Sequence, residues 1–166
     1  MDIRRVETSE AELLLQLTQR VETERDQLLY QSGEAIQTVE EQAAQLAWIR
    51  NSGNSEVLAA LSGEEWAGYA MALGGELRID RHVAIVVVEV VQIMHRKGIA
   101  SRLLLSLELW ARQNGVRRLE LTVLASNEAA INLYFKLGYE REGVRREARL
   151  IGNQFVDEWL MAKILA

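Results

Sequence analysis

The stretch 81–100 constrains the fold of this chain more than any other, because it joins a valine-rich run to a helix through a short basic turn. The apolar residues 83–88 end at Glu89, and an unbroken run of this kind predicts a strand over 81–91 that is covered on both faces. After Gly98, Leu103, Leu104, Leu107 and the pair Trp110-Ala111 recur on one side of a predicted helix. Glu108 and Arg112 have ion-pair spacing on it, and Gly115 stands where a C-terminal cap belongs. A lone carboxylate at Glu89, inside so apolar a strand, is costly unless it is paired or faces a cleft.

A strand-to-helix junction aims unpaired backbone N–H groups and the positive end of the helix dipole at one point. Phosphate oxygens are held well there, and a glycine at position 98 admits them close to the backbone. Arg96 and Lys97 add positive charge. The segment suits a diphosphate held mainly by main-chain donors. It is not a nucleotide-triphosphate loop, which ends in Gly-Lys-Ser/Thr, nor a dinucleotide fingerprint, which needs three spaced glycines.

Around this junction the patterns alternate. Residues 3–6 form an opening strand. Thr8 or Ser9 caps a first helix, Ser9 completing a capping box with Glu12, and Leu13, Leu14, Leu17 and Val21 follow at helical spacing. Residues 27–33 read as a loop. Thr38, with Glu41, caps a second helix whose apolar face holds Ala44, Leu46 and Ala47. Strands at 56–61 and 66–73 form a hairpin through 62–65. A strand at 118–123 leads to a short helix from Ser126 or Asn127 that carries Ala130, Ile131 and Tyr134 on one side. Two last strands, 139–148 and 155–165, flank a turn at 151–154. The predicted order is β-α-α-β-β-β-α-β-α-β-β.

Composition narrows the chemistry. The chain has no cysteine, which excludes disulfides and thiolate metal sites, and its two histidines, His82 and His95, are too few and too separated for a zinc centre. No metal is expected. The N-terminus lacks the apolar core of a signal peptide, and no apolar run approaches the ~20 residues of a membrane span, so a cytoplasmic protein without a membrane partner is expected. Residues 1–66 hold 13 acidic and 5 basic side chains, net −8, whereas 67–166 hold 11 and 14, net +3. The second part suits an anionic ligand. No concentrated basic stripe is present, so nucleic acid is not an expected partner.

Two segments carry a resemblance. His95-Arg96-Lys97-Gly98-Ile99-Ala100 follows the predicted strand, and Asn127-Glu128-Ala129-Ala130-Ile131-Asn132-Leu133-Tyr134-Phe135-Lys136-Leu137-Gly138-Tyr139 lies downstream. In motif order and spacing, residues 82–164 resemble the GNAT superfamily of N-acetyltransferases. The resemblance implies an α/β (α+β) fold, with a mixed, mostly antiparallel central sheet flanked by helices, in one domain over 1–166. Within it, 1–80 forms the acceptor-side wall and first strands, 81–139 the acetyl-CoA-binding core and 140–166 the closing strands.

It also implies acetyl-CoA as co-substrate, contacted by Val90, Gln92, His95, Arg96, Lys97, Gly98, Ile99, Ala100, Asn127 and Tyr134. N–H groups around Val90 and Gln92 would hold the pantetheine and polarise the thioester carbonyl. His95 stands where the superfamily has arginine or glutamine, which removes one side-chain contact to the diphosphate. Tyr134 is the expected general acid for the CoA thiolate. Glu89 is the first candidate general base, with Glu24, His82, Asp157 and Glu158 as further candidates. Glu24, Tyr30 and Glu158 are expected at the acceptor site, while Trp48, Trp66 and Tyr69 read as packing residues. The expected acceptor is a small primary amine: a polyamine, an amino acid or an amine drug, the acidic N-terminal part favouring a cationic one. A peptide or protein N-terminus is the alternative acceptor, and a non-catalytic acyl-CoA sensor the alternative function. A homodimer is an expected assembly by the same resemblance.

Overall fold

The computed structural model describes residues 1–26 and 37–166. Its elements run β1 (Asp2–Arg5), α1 (Ala11–Asp26), α2 (Val39–Ser52), β2 (Glu56–Ser62), β3 (Glu65–Gly74), β4 (Val83–Val90), α3 (Ile99–Gln113), β5 (Arg118–Leu124), α4 (Glu128–Lys136), β6 (Glu140–Ile151) and β7 (Gln154–Ile164), in the order that the sequence predicts. The loop predicted at 27–33 lies outside the described residues.

The strands form one sheet in the order β1-β2-β3-β4-β5-β7-β6. Every neighbouring pair is antiparallel except β4 and β5. Their parallel pairing follows from the intervening α3, because a crossover of helical length is what returns a chain to the same edge in the same direction. β2 and β3 close tightly through Gly63, whose φ of 66° needs no Cβ to be accommodated.

Apolar side chains cover both faces of the sheet. On one face Leu103, Leu107 and Ala111 of α3, with Ile131 and Tyr134 of α4, pack on Ala60, Ala70, Ala72, Ala84, Val86, Leu119, Leu121 and Met161. The four alanines are fully buried and leave room for α3 to lie close. Burying each leucine contributes about 1.5–3 kcal/mol. On the other face Leu14, Leu17 and Val21 of α1 and Leu46 and Ile49 of α2 pack on Val57, Ala59, Tyr69 and Met71.

Several local expectations are corrected. Neither Thr8 nor Ser9 pairs with Glu12. A 3-10 turn at Thr8–Glu10 precedes α1, and the Glu10 carboxylate accepts the Glu7 N–H at 2.9 Å. Leu13 is exposed, and Ala11 and Leu15 are buried in the same helix. In α2 the Thr38–Glu41 box forms as expected, but Ala44 is exposed and the buried residues are Gln42, Leu46 and Ile49. Trp48, expected to pack, is exposed. The strand covered on both faces is also wrong for β4. Because α1 packs on β3 and α2 on β2, Ile85 and Val87 are left 54% and 36% exposed.

Candidate functional site

β4 and β5 begin as partners and then part. Their ladder runs through Val83↔Arg118, Ala84↔Leu119 and Ile85↔Glu120 and stops there, although β4 continues to Val90 and β5 to Leu124. β4 keeps its other partner throughout, Gly68↔Val90 being its last pair with β3. A parallel pair that stops while both strands continue leaves a wedge lined by main-chain groups. The candidate site is this wedge and the turn above it.

On the α3 side of the wedge lies Tyr134, buried in α4, with its ring centroid 5.6 Å from that of Tyr139. Burial pushes the Tyr134 phenol up to about 12, with a smaller push from the negative charge of Glu89. It is therefore protonated at neutral pH. Glu89 belongs to the other face, opposite Tyr69 in the β3–β4 ladder, and the Tyr69 hydroxyl hydrogen-bonds the Glu89 carboxylate at 2.9 Å. Glu89 and Tyr134 thus stand on opposite faces of the sheet. Tyr69, which reads as a packing residue in the sequence, is thus both buried and a polar partner of Glu89. Only the strand register reveals this.

The turn between β4 and α3 is built from backbone. A 3-10 turn at Gln92–Met94 closes through Met94 N–H to Val91 C=O at 2.9 Å and His95 N–H to Gln92 C=O at 3.1 Å. Arg96 and Gly98 then take φ of 60° and 74°. Among the described residues the N–H groups of 96–101 make no hydrogen bond. The first bonded one is Arg102, to Gly98 C=O at 3.1 Å. The positive-φ turn and the first turn of α3 thereby present consecutive main-chain donors to one exposed place, with Arg96 and Lys97 exposed beside it. These features fit a diphosphate.

The remaining predicted residues are not all free for a ligand. The His95 ring folds back and its Nε2 donates to the Val90 carbonyl at 2.8 Å, which requires the proton on Nε2. Lys97 Nζ rests on the Met94 sulfur at 3.3 Å. Asn127 caps α4, its Oδ1 accepting the Ala130 N–H at 3.1 Å. The Gln92 N–H donates to the Glu24 carboxylate at 2.6 Å. Glu24 also pairs with Arg20 at 3.1 Å, and Arg20 reaches Glu65 at 3.0 Å. Glu158 is buried and bonded by Arg145 at 3.0 Å and Arg149 at 2.8 Å. Asp157 accepts the Glu147 N–H at 2.8 Å. His82 is exposed just before β4, at the end of the strand away from Glu89. Tyr30 lies outside the described residues.

The structure thus brings Tyr134, Glu89, Val90 and the 92–100 turn together around the wedge, with Glu24 touching its edge. It holds His82 apart.

Comparison with known proteins agrees with this fold. Residues 20–139 match the acetyltransferase (GNAT) family. Over 72 residues the chain is 36% identical to an L-amino acid N-acetyltransferase of Escherichia coli, which is 41% of this chain and 43% of that relative. A GNAT-family acetyltransferase from Streptococcus pneumoniae superposes with a TM-score of 0.92 at 30% identity, covering 99% of each chain. A GNAT-superfamily phosphinothricin acetyltransferase from Sinorhizobium meliloti, solved in complex with acetyl-CoA, shares the fold with a TM-score of 0.82 at 19% identity, over 99% of this chain and 88% of the other. Because the family match takes in the strand, the turn and the helix that build the wedge, together with most of the chain around them, this protein belongs to the acetyltransferase (GNAT) family.

Proposed function

We propose that this protein transfers the acetyl group of acetyl-CoA to a small primary amine. The observation that carries the reading is the wedge between β4 and β5, with a protonated, buried Tyr134 on the α3 side of the sheet. The N–H groups of 96–101 would hold the diphosphate, with Arg96 and Lys97 neutralising charge. Val90 and its neighbours at the end of β4 would line the pantetheine arm. His95 would act through the backbone, fixing the carbonyl of Val90 and the shape of the turn.

Acetyl-CoA supplies an activated thioester, whose C–S bond breaks as the amine nitrogen bonds to the acetyl carbon. The chain has two protons to manage. Glu89, oriented by the Tyr69 hydroxyl, takes the proton that the ammonium must lose, directly or through water. Tyr134 gives its phenolic proton to the departing sulfur. The elevated Tyr134 value suits a donor that must still hold its proton when the amine has lost one.

The test is CoA thiol release measured with a colorimetric thiol reagent, to which a protein without cysteine adds no background. Wild-type protein should release thiol only when a suitable amine is added. Tyr134→Phe should lower kcat by roughly 100-fold with the Kd for acetyl-CoA unchanged. Glu89→Gln should lower it comparably at neutral pH and recover as pH approaches the amine value near ~10, where free amine needs no base. A Tyr134→Phe rate equal to wild type removes Tyr134 from the chemistry, and no amine-dependent release sinks the reading.

A further inference from the structure

We infer that Tyr139 is a positioning residue for acetyl transfer, its hydroxyl stabilising the phenolate that Tyr134 becomes when it gives up its proton. The inference rests on the acetyl-transfer reading above and adds a second phenol to the same site. It starts from a hydroxyl without a partner. Tyr139 is 3% exposed, and among the described residues neither its hydroxyl nor that of Tyr134 makes a hydrogen bond. Burying an unpartnered hydroxyl costs free energy, and phenylalanine would fill the same apolar space without that cost. An unsatisfied buried group in a native fold has a reason of its own, and a role in the chemistry is one of the common ones.

The chain fastens Tyr139 to Tyr134 twice. At the end of α4 the Leu137 and Tyr139 N–H groups both donate to the Tyr134 carbonyl, at 3.1 Å and 3.0 Å, as Gly138 turns the backbone at φ 86°. The two ring centroids then stand 5.6 Å apart, with the planes tilted by 58°. Lys163 braces this clasp from β7. Its Nζ donates to the Leu137 carbonyl at 2.7 Å and to the Glu108 carboxylate of α3 at 2.6 Å. Arg112 bonds the same carboxylate at 2.7 Å. Backbone, ring contact and ion pairs together hold the second phenol beside the first.

Acetyl transfer gives that phenol its work. As the C–S bond breaks, the Tyr134 O–H bond breaks too, an S–H bond forms on CoA and the negative charge passes to the Tyr134 oxygen. That charge lies in an apolar site, where it is costly unless a dipole meets it. The Tyr139 O–H is engaged by nothing else among the described residues, and a phenolic hydrogen rotates to suit its acceptor. Burial holds Tyr139 protonated, with smaller pushes from the charges of Tyr134 and Glu108, so it stays a donor while its neighbour is ionised. Hydrogen bonds of this kind commonly tighten only as charge develops. The Tyr134 phenolate regains a proton from water after CoA leaves, and Tyr139 keeps its own throughout.

The experiment follows single-turnover thiol release from acetyl-CoA, with the 166-residue chain in excess and the best acceptor of spermidine, L-methionine and benzylamine. Tyr139→Phe keeps the ring and should slow the rate by about 10-fold, the worth of one hydrogen bond. The Kd for acetyl-CoA should not change, and the thermal midpoint at neutral pH should be unchanged or raised. In a Tyr134→Phe background the same substitution should have no further effect, because no phenolate forms there. A parental rate for Tyr139→Phe overturns the inference and leaves acetyl transfer standing. An equal fall in both backgrounds overturns it as well, since the hydroxyl then acts independently of Tyr134. So does a rate loss that comes with weaker acetyl-CoA binding or a lower midpoint. A parental rate for Tyr134→Phe removes both phenols from the chemistry, and no amine-dependent release sinks the acetyl-transfer reading together with this one.

Discussion

At the scale of single residues, environment assigns roles that residue type leaves open. Tyr134 and Tyr139 share an apolar site, and burial raises both phenols, Tyr134 to about 12. Protonated in the fold at a pH where the unfolded chain ionises, these groups stabilise the native state fully below the ordinary tyrosine value near ~10. That stabilisation is lost as pH climbs through the folded values. Thermal unfolding should therefore show a midpoint that falls between pH ~10 and pH ~12, and Tyr139→Phe should flatten the fall. A midpoint that tracks wild type across that window would mean Tyr139 contributes nothing to it. Tyr134 and Glu89 are both legible as candidates in the sequence, the first by motif and the second as a carboxylate in a valine run. Tyr69 is not, because its polar partner stands twenty residues away and only β3–β4 pairing brings it there.

At the scale of elements, the β4–α3 turn concentrates what the site needs. Gly98 has φ 74°, and a Cβ built there meets nothing within 4 Å, so a substitution strains only the backbone. Gly98→Ala should cost about 1–2 kcal/mol in chemical denaturation and weaken acetyl-CoA severalfold by titration calorimetry, because the same φ aims the donors of 96–101. Unchanged affinity in a destabilised variant would separate the turn's shape from binding. The helices behave differently. α3 follows its leucine spacing closely, with Leu103, Leu104, Leu107 and Ala111 all buried. α1 begins on a 3-10 turn, which moves its buried face away from Leu13 and onto Leu15. Capping chemistry is local enough to read at Thr38. It misleads at the first helix, where Glu7 and Glu10 take up the role read for Ser9 and Glu12.

At the scale of the whole molecule, charge and sheet geometry divide the labour. Arg96 and Lys97, in the turn that would take the diphosphate, belong to the part of the chain with a basic excess, 67–166, whereas the acidic excess lies in residues 1–66. The Kd for acetyl-CoA should rise severalfold as ionic strength goes from about 0.01 M to about 1 M, as the screening length contracts from ~30 Å to ~3 Å. A salt-independent Kd would leave binding to the main-chain donors and apolar contacts alone.

The sequence by itself determined the order of elements, the strand-turn-helix unit and the two motif segments, because apolar periodicity, helix caps and glycine turns act within a few residues. It also marked Tyr134 and Glu89. Only the tertiary structure decided which face of β4 stays open, since that depends on where α1 and α2 come to rest. The parting of β4 from β5, the Tyr69–Glu89 bond, the Glu24 contact with Gln92 and the convergence of Arg145 and Arg149 on Glu158 arise from pairing between distant strands and helices. Such pairings are fixed by register and packing across the sheet, which no local pattern along the chain encodes.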